Sequence, residues 1–162
     1  MSQPETKQNL PNIQEALSGF LQLVPQDQQP LLIALAERMA ADRYRSWAGR
    51  VTDPDKQKGL IACGDREDEI ARRIESLYPN AAAIQGNIAA TTPHLSDLTR
   101  SLFEPLSLDD QFALQAQGER LGAATWRSLA RKATDPEAAE VLLSCAPLEE
   151  ESAAFLESLL AG

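Results

Sequence analysis

Residues 37–69 read ERMAADRYRSWAGRVTDPDKQKGLIACGDREDE, and residues 119–151 read ERLGAATWRSLARKATDPEAAEVLLSCAPLEEE. The two stretches lie 82 residues apart and align without a gap. Arg45-Ser46-x-Ala48 falls on Arg127-Ser128-x-Ala130, Thr52-Asp53-Pro54 on Thr134-Asp135-Pro136, and Cys63 on Cys145. Working outward, the match extends over 11–77 against 93–159, where 22 of 67 positions are identical. A chance match does not place a turn motif, a cysteine and several glutamates at one offset. The chain therefore reads as two tandem copies of one unit, joined by a connector at 78–92. Two copies are too few for a solenoid, so they are expected to pack on each other about a pseudo-two-fold axis.

Each unit reads as helical. Ile13, Ala16, Leu17, Phe20 and Leu21 recur at helical spacing and mark a short helix that stops before Pro25. A long helix is expected over about 27–51. Asp53 then serves as N-cap and Pro54 as the first residue of a second long helix, which runs to about Leu77. The second unit repeats this near 94–104, 108–133 and 136–160, with Pro147 expected to bend the last helix. No strand signal survives. Four helices of this length have the dimensions of a four-helix bundle. The expectation is an all-α fold forming a single domain over 1–162, each repeat a short leading helix plus a long helical hairpin.

Tracing the inward seam of each long helix at alternating spacings of three and four gives the decisive pattern. The first seam is Ile33, Glu37, Ala40, Tyr44, Trp47, Val51, and the second Leu60, Cys63, Glu67, Ile70, Ile74, Leu77. The third is Phe112, Gln115, Glu119, Gly122, Trp126, Leu129, Ala133, and the fourth Leu142, Cys145, Glu149, Ser152, Leu156, Leu159. Each seam is almost wholly apolar or small, and each carries one glutamate. A buried carboxylate without a partner is costly, so each of the four needs a hydrogen bond, a proton or a metal ion.

One inward Glu from each of two helices, with Glu-x-x-His from each of the other two, is a di-metal pattern of helical bundles. Over nearly its whole length this sequence resembles the ferritin-like superfamily, rubrerythrin-type. Glu37 and Glu119 match the lone glutamates, and Glu67 and Glu149 match those of the Glu-x-x-His motifs. Tyr44, two turns after Glu37, also suits the family. The histidine positions, however, hold Ile70 and Ser152, and the single histidine, His94, lies in the short helix after the connector. The resemblance thus implies a ferritin-like four-helix bundle with a degenerate, histidine-free di-metal site and a non-catalytic binding or structural role. The alternative it implies is a carboxylate-bridged di-iron or di-manganese oxidase or peroxidase-like enzyme. Glu37, Glu67, Glu119 and Glu149 are the metal-ligand candidates, with Fe or Mn as the cofactor. An all-oxygen set favours hard ions such as Mn, Mg or Ca.

The remaining chemistry is sparse. With 15 Lys+Arg against 24 Asp+Glu the net charge is −9, which opposes nucleic-acid binding. No apolar stretch is long enough to span a bilayer. The first residues, MSQPETKQNLPN, are polar and do not read as a secretory signal, so a cytoplasmic location is expected. One histidine excludes multi-histidine metal sites and makes a Ser-His-Asp triad implausible. Cys63 and Cys145, one turn before Glu67 and Glu149, read chiefly as small buried hydrophobes, with a redox pair as the sharper option. Arg38, Arg45, Arg120 and Arg127 lie off the seams and read as an ion-pair face. His94 reads as a capping or surface residue. The apolar residues Phe20, Leu21, Leu102 and Phe103 of the short helices must cover a bundle edge or meet another subunit, so a homodimer is expected.

Overall fold

The computed structural model describes residues 10–161, and in them the chain is all-helical. The polar N-terminal residues 1–9, on which the expectation of no signal segment rests, lie outside the described residues. The helices are α1 (Ile13–Leu21), α2 (Gln29–Arg50), α3 (Pro54–Glu75), α4 (Ala81–Thr91), α5 (Leu95–Phe103), α6 (Leu108–Lys132) and α7 (Pro136–Ala161). A 3-10 turn, Gln26–Gln28, leads into α2. The expected connector therefore contains a helix of its own: α4 buries Ile88 and rests against α2. Its alanine-rich, uncharged sequence has high helix propensity but little amphipathic pattern, which is why its helical character is hard to read from periodicity.

The helix boundaries follow from local chemistry. Asp53 Oδ1 accepts the backbone N–H groups of Asp55 and Lys56 at 2.8 and 3.2 Å, with Pro54 opening α3. Asp135 Oδ1 accepts the N–H of Glu137 at 3.1 Å before Pro136 opens α7. Ser107 and Asn12 cap α6 and α1 in the same manner. These caps satisfy backbone donors that a helix start leaves unpaired. α7 continues through Pro147, whose side is exposed.

α2 packs along α3, α6 along α7, and α3 against α7. The apolar core divides into two clusters. One holds Leu31, Ala34, Ile70, Ile74, Ala123, Trp126, Leu142 and Cys145; the other holds Tyr44, Trp47, Leu60, Cys63, Phe112, Ala116 and Leu156. Along α2 and α7 the chain passes from the first cluster to the second, and along α3 and α6 from the second to the first. Glu37, Glu67, Glu119 and Glu149 each fall between the two clusters on their helix. They form a polar layer inside an otherwise apolar interior. Phe20 and Leu21 pack on the first cluster, and Leu102 and Phe103 on the second. Of the apolar groups that motivated a homodimer, Phe103 is buried within the chain, while Phe20, Leu21 and Leu102 are only partly buried. No described helix is long and apolar enough to cross a membrane.

Candidate metal centre

All four seam glutamates are buried, with Glu67 fully enclosed and Glu37 the most accessible at 8%. One carboxylate oxygen from each of Glu37, Glu67 and Glu149 lies within 4.8 Å of the others. Glu119 stands beside this trio and is held by two donors: Tyr44 Oη at 2.8 Å and Gln115 Nε2 at 2.7 Å, both to Oε1. Trp126 Nε1 donates to Glu149 Oε1 at 2.8 Å. Among the described residues Glu67 receives nothing: both its oxygens are buried without a hydrogen-bond partner, as is Glu119 Oε2. A buried ionised carboxylate in that state is destabilising by several kcal/mol, so the layer requires a cation or protons.

The electrostatics agree. Burial, reinforced by the charges of Glu119, Glu37 and Glu149, pushes the Glu67 carboxyl well above the usual carboxylate range. Burial with the charges of Glu37 and Glu119 does the same to Glu149, and burial raises Glu37. Tyr44 is pushed well above its ordinary value by burial and by Glu119, so its phenol keeps its proton and donates. Among the described residues the cation acting on Glu37 is Arg43, which offsets its burial only partly.

Room for the layer comes from α6. A Cβ on Gly122 would stand 2.5 Å from Glu149 Oε1 and 2.7 Å from its Cδ. The position 82 residues earlier is Ala40, so only one repeat carries this gap. A cavity of about 240 Å³ reaches all four glutamates from beneath α1, walled by Leu17, Leu21, Ile33 and Leu121. The sequence pattern identifies the four carboxylates and offers Tyr44 and Trp126 as hydrogen-bond partners for them, but it does not single out Gln115 as an anchor. Gln115 had a legible signal, a polar residue one turn before Glu119 on an apolar seam.

The other candidates resolve as surface or packing groups. Ile70 is fully buried in the first apolar cluster, and Ser152 Oγ accepts from Arg66 Nε at 2.9 Å. Neither offers a nitrogen ligand, so the donors facing the centre are all carboxylate oxygens. His94 is exposed at the start of α5, makes no capping bond and lies 3.9 Å from Asp97. Cys63 and Cys145 are free and buried, and burial raises both thiols, Cys145 to about 11. Such thiols are poor nucleophiles and poor redox partners. Arg38 pairs with Glu75 and Asp68, Arg45 with Asp68 and Asp65, Arg120 with Glu157, and Arg127 with Glu150, as an inter-helix ion-pair face requires. No family model, curated protein or solved structure matches the chain.

Proposed function

We propose that this protein is a ferritin-like four-helix bundle built from two tandem repeats, and that it binds a hard metal cation through Glu37, Glu67, Glu119 and Glu149. The observation that carries the reading is Glu67, whose two oxygens are buried, unpartnered and turned toward Glu37 and Glu149. Proton sharing relieves this layer when it is empty; a divalent cation relieves it more completely, because it neutralises several carboxylates at once. Tyr44, Gln115 and Trp126 fix the orientation of Glu119 and Glu149, as outer hydrogen bonds do around metal ligands. With oxygen donors only, the set favours Mn, Mg or Ca and holds iron less firmly than an imidazole-containing site. Binding or a structural role is the reading that suits this donor set.

The test is metal titration of the purified chain against Glu67→Gln. Manganese should raise the melting temperature of the parent and, at the same concentration, raise that of the variant much less, since a ligand that binds only the folded state stabilises it by mass action. Equal shifts in both proteins would remove the site. A second reading, a carboxylate-bridged di-iron or di-manganese oxidase or peroxidase-like enzyme, is favoured by the cavity that reaches the layer and by the Tyr44 phenol on Glu119. In it Glu37, Glu67, Glu119 and Glu149 hold the metal, the metal supplies the redox chemistry, and Tyr44 holds its proton at Oη. Peroxide consumption by iron-loaded protein, lost in Glu67→Gln, separates it from the first.

A further inference from the structure

A second concavity, of about 460 Å³, opens between α2, α5 and the first turn of α6. Its size is that of a small-molecule site. Its charge is unusual for this chain: Arg43, Arg50 and Arg100 face it against Asp42 and Glu104, a local balance of +1 in a protein of net charge −9. Arg100 is loosely matched by Asp97 and Glu104 at 3.7 and 3.8 Å. Arg43 and Arg50 make no ion pair with any described residue. Arg50 only approaches Gln111 Oε1 at 3.5 Å.

Arg43 is the informative group. It is half-buried, and the described groups in direct contact with its guanidinium are neutral. Its Nε donates to Gln115 Oε1 at 3.3 Å, and its Cζ lies 4.0 Å from the centre of the Phe103 ring. Gln115 is itself fixed by its bond to Glu119. Both Nη groups remain without a protein acceptor among the described residues. Burial lowers the pKa of Arg43 while the charges of Tyr44, Glu119, Glu67 and Glu37 favour its charged form, so the cation is partly desolvated and makes no direct ion pair with a described residue. A guanidinium clamped at Nε with its Nη pair free is oriented for two-point binding of a carboxylate.

We propose that this groove is a binding site for a small organic monocarboxylate, anchored on the Arg43 Nη pair. The apolar body of the ligand is accommodated by Met39, Trp47 and Phe103, which share the lining with the arginines. Asp42 and Glu104 at the rim oppose an anion of higher charge, which selects a monoanion over phosphate. Arg43 also lines the cavity that reaches the carboxylate layer, so the two sites share this residue and the chain Arg43–Gln115–Glu119.

The experiment uses benzoate as probe, with chloride replacing it so that ionic strength is constant. Benzoate should raise the melting temperature of the parent and give a saturable calorimetric isotherm. Arg43→Gln should weaken that affinity by about tenfold or more, the scale of a lost charge-assisted contact. Ser46→Phe, an exposed α2 position lining the groove, should abolish binding by occupying the space while keeping Arg43, and its helical circular dichroism should match the parent. Inorganic phosphate should bind less tightly than benzoate. The proposal is overturned if benzoate does not bind the parent, if both folded variants bind it as the parent does, or if phosphate binds as tightly.

Discussion

Glu119 and Glu149, in the C-terminal half, accept hydrogen bonds from Tyr44, Gln115 and Trp126, whereas Glu37 and Glu67, in the N-terminal half, accept none among the described residues. The donors themselves are not distributed that way. Tyr44 and Trp126 occupy positions 82 residues apart, yet Tyr44 crosses from α2 to α6 while Trp126 reaches from α6 to its neighbour α7. Both therefore serve the same half. The result is one pair of carboxylates held in place and one pair with lone pairs unspent. Sequence repetition places four equivalent acids in one layer, and divergence of their neighbours makes them unequal.

Metal affinity is the sharpest way to break this comparison. Glu67→Gln should weaken manganese binding by roughly a hundredfold, about 2.7 kcal/mol, because it removes an oxygen that has no other role. Tyr44→Phe should weaken it by only about tenfold, since Gln115 still holds Glu119. Isothermal titration of both variants checks the order, and a reversed order would erase the distinction between held and free acids.

A packing difference between the halves gives the next effect. The Phe155 ring of α7 lies over Gly59 of α3, 2.1 Å from where a Cβ would stand. The corresponding positions are Arg73 and Val141, and there Arg73 reaches past to the Ser144 carbonyl at 3.1 Å. Gly59→Ala should destabilise by about 2 kcal/mol through overpacking, despite the better helix propensity of alanine. Urea unfolding measures it; an unchanged midpoint would mean that the α3–α7 contact at Gly59 is loose.

The pH dependence of the metal-free protein follows from the same layer. Glu37, Glu67 and Glu149 have folded values above their unfolded ones, so below the ordinary carboxylate range both states carry the proton and nothing is lost. As pH rises beyond it, the unfolded chain releases protons that the folded layer retains. Stability should then fall by up to about 1.4 kcal/mol per pH unit for each proton retained, until the folded values are passed. Half-buried Glu69, held down to about 2 by Arg72 and Arg73, acts oppositely and only in acid: its contribution is present above 4.5 and lost as pH falls toward 2. Melting temperatures should decline for the parent as pH rises above the ordinary carboxylate range, and less steeply for Glu67→Gln, in which Glu37 and Glu149 still retain protons.

The smallest effect contrasts two corresponding ion pairs. Arg38 meets Glu75 at 3.0 Å and also Asp68, with Glu75 only 22% exposed, whereas Arg120 and Glu157 are both 47% exposed. Arg38→Ala should cost about 1 kcal/mol and Arg120→Ala less than about 0.5 kcal/mol, by thermal denaturation at low salt. Equal costs would show that the second partner, Asp68, adds nothing.

The sequence by itself determined the helical class, the caps at Asp53 and Asp135, the inward seams and the four glutamates they carry. These are local or periodic properties: capping chemistry and a repeating apolar face are written in residues a few positions apart. Only the tertiary structure decided which acids are anchored, because Tyr44 and Glu119 lie 75 residues apart in the chain and meet through packing of α2 near α6. It also decided that Gly122 makes the gap for Glu149 and that Arg43 makes no direct ion pair with a described residue. Those facts depend on what fills the space beside a side chain. Such long-range partners have no period along the chain, so they become visible once the helices are set against one another.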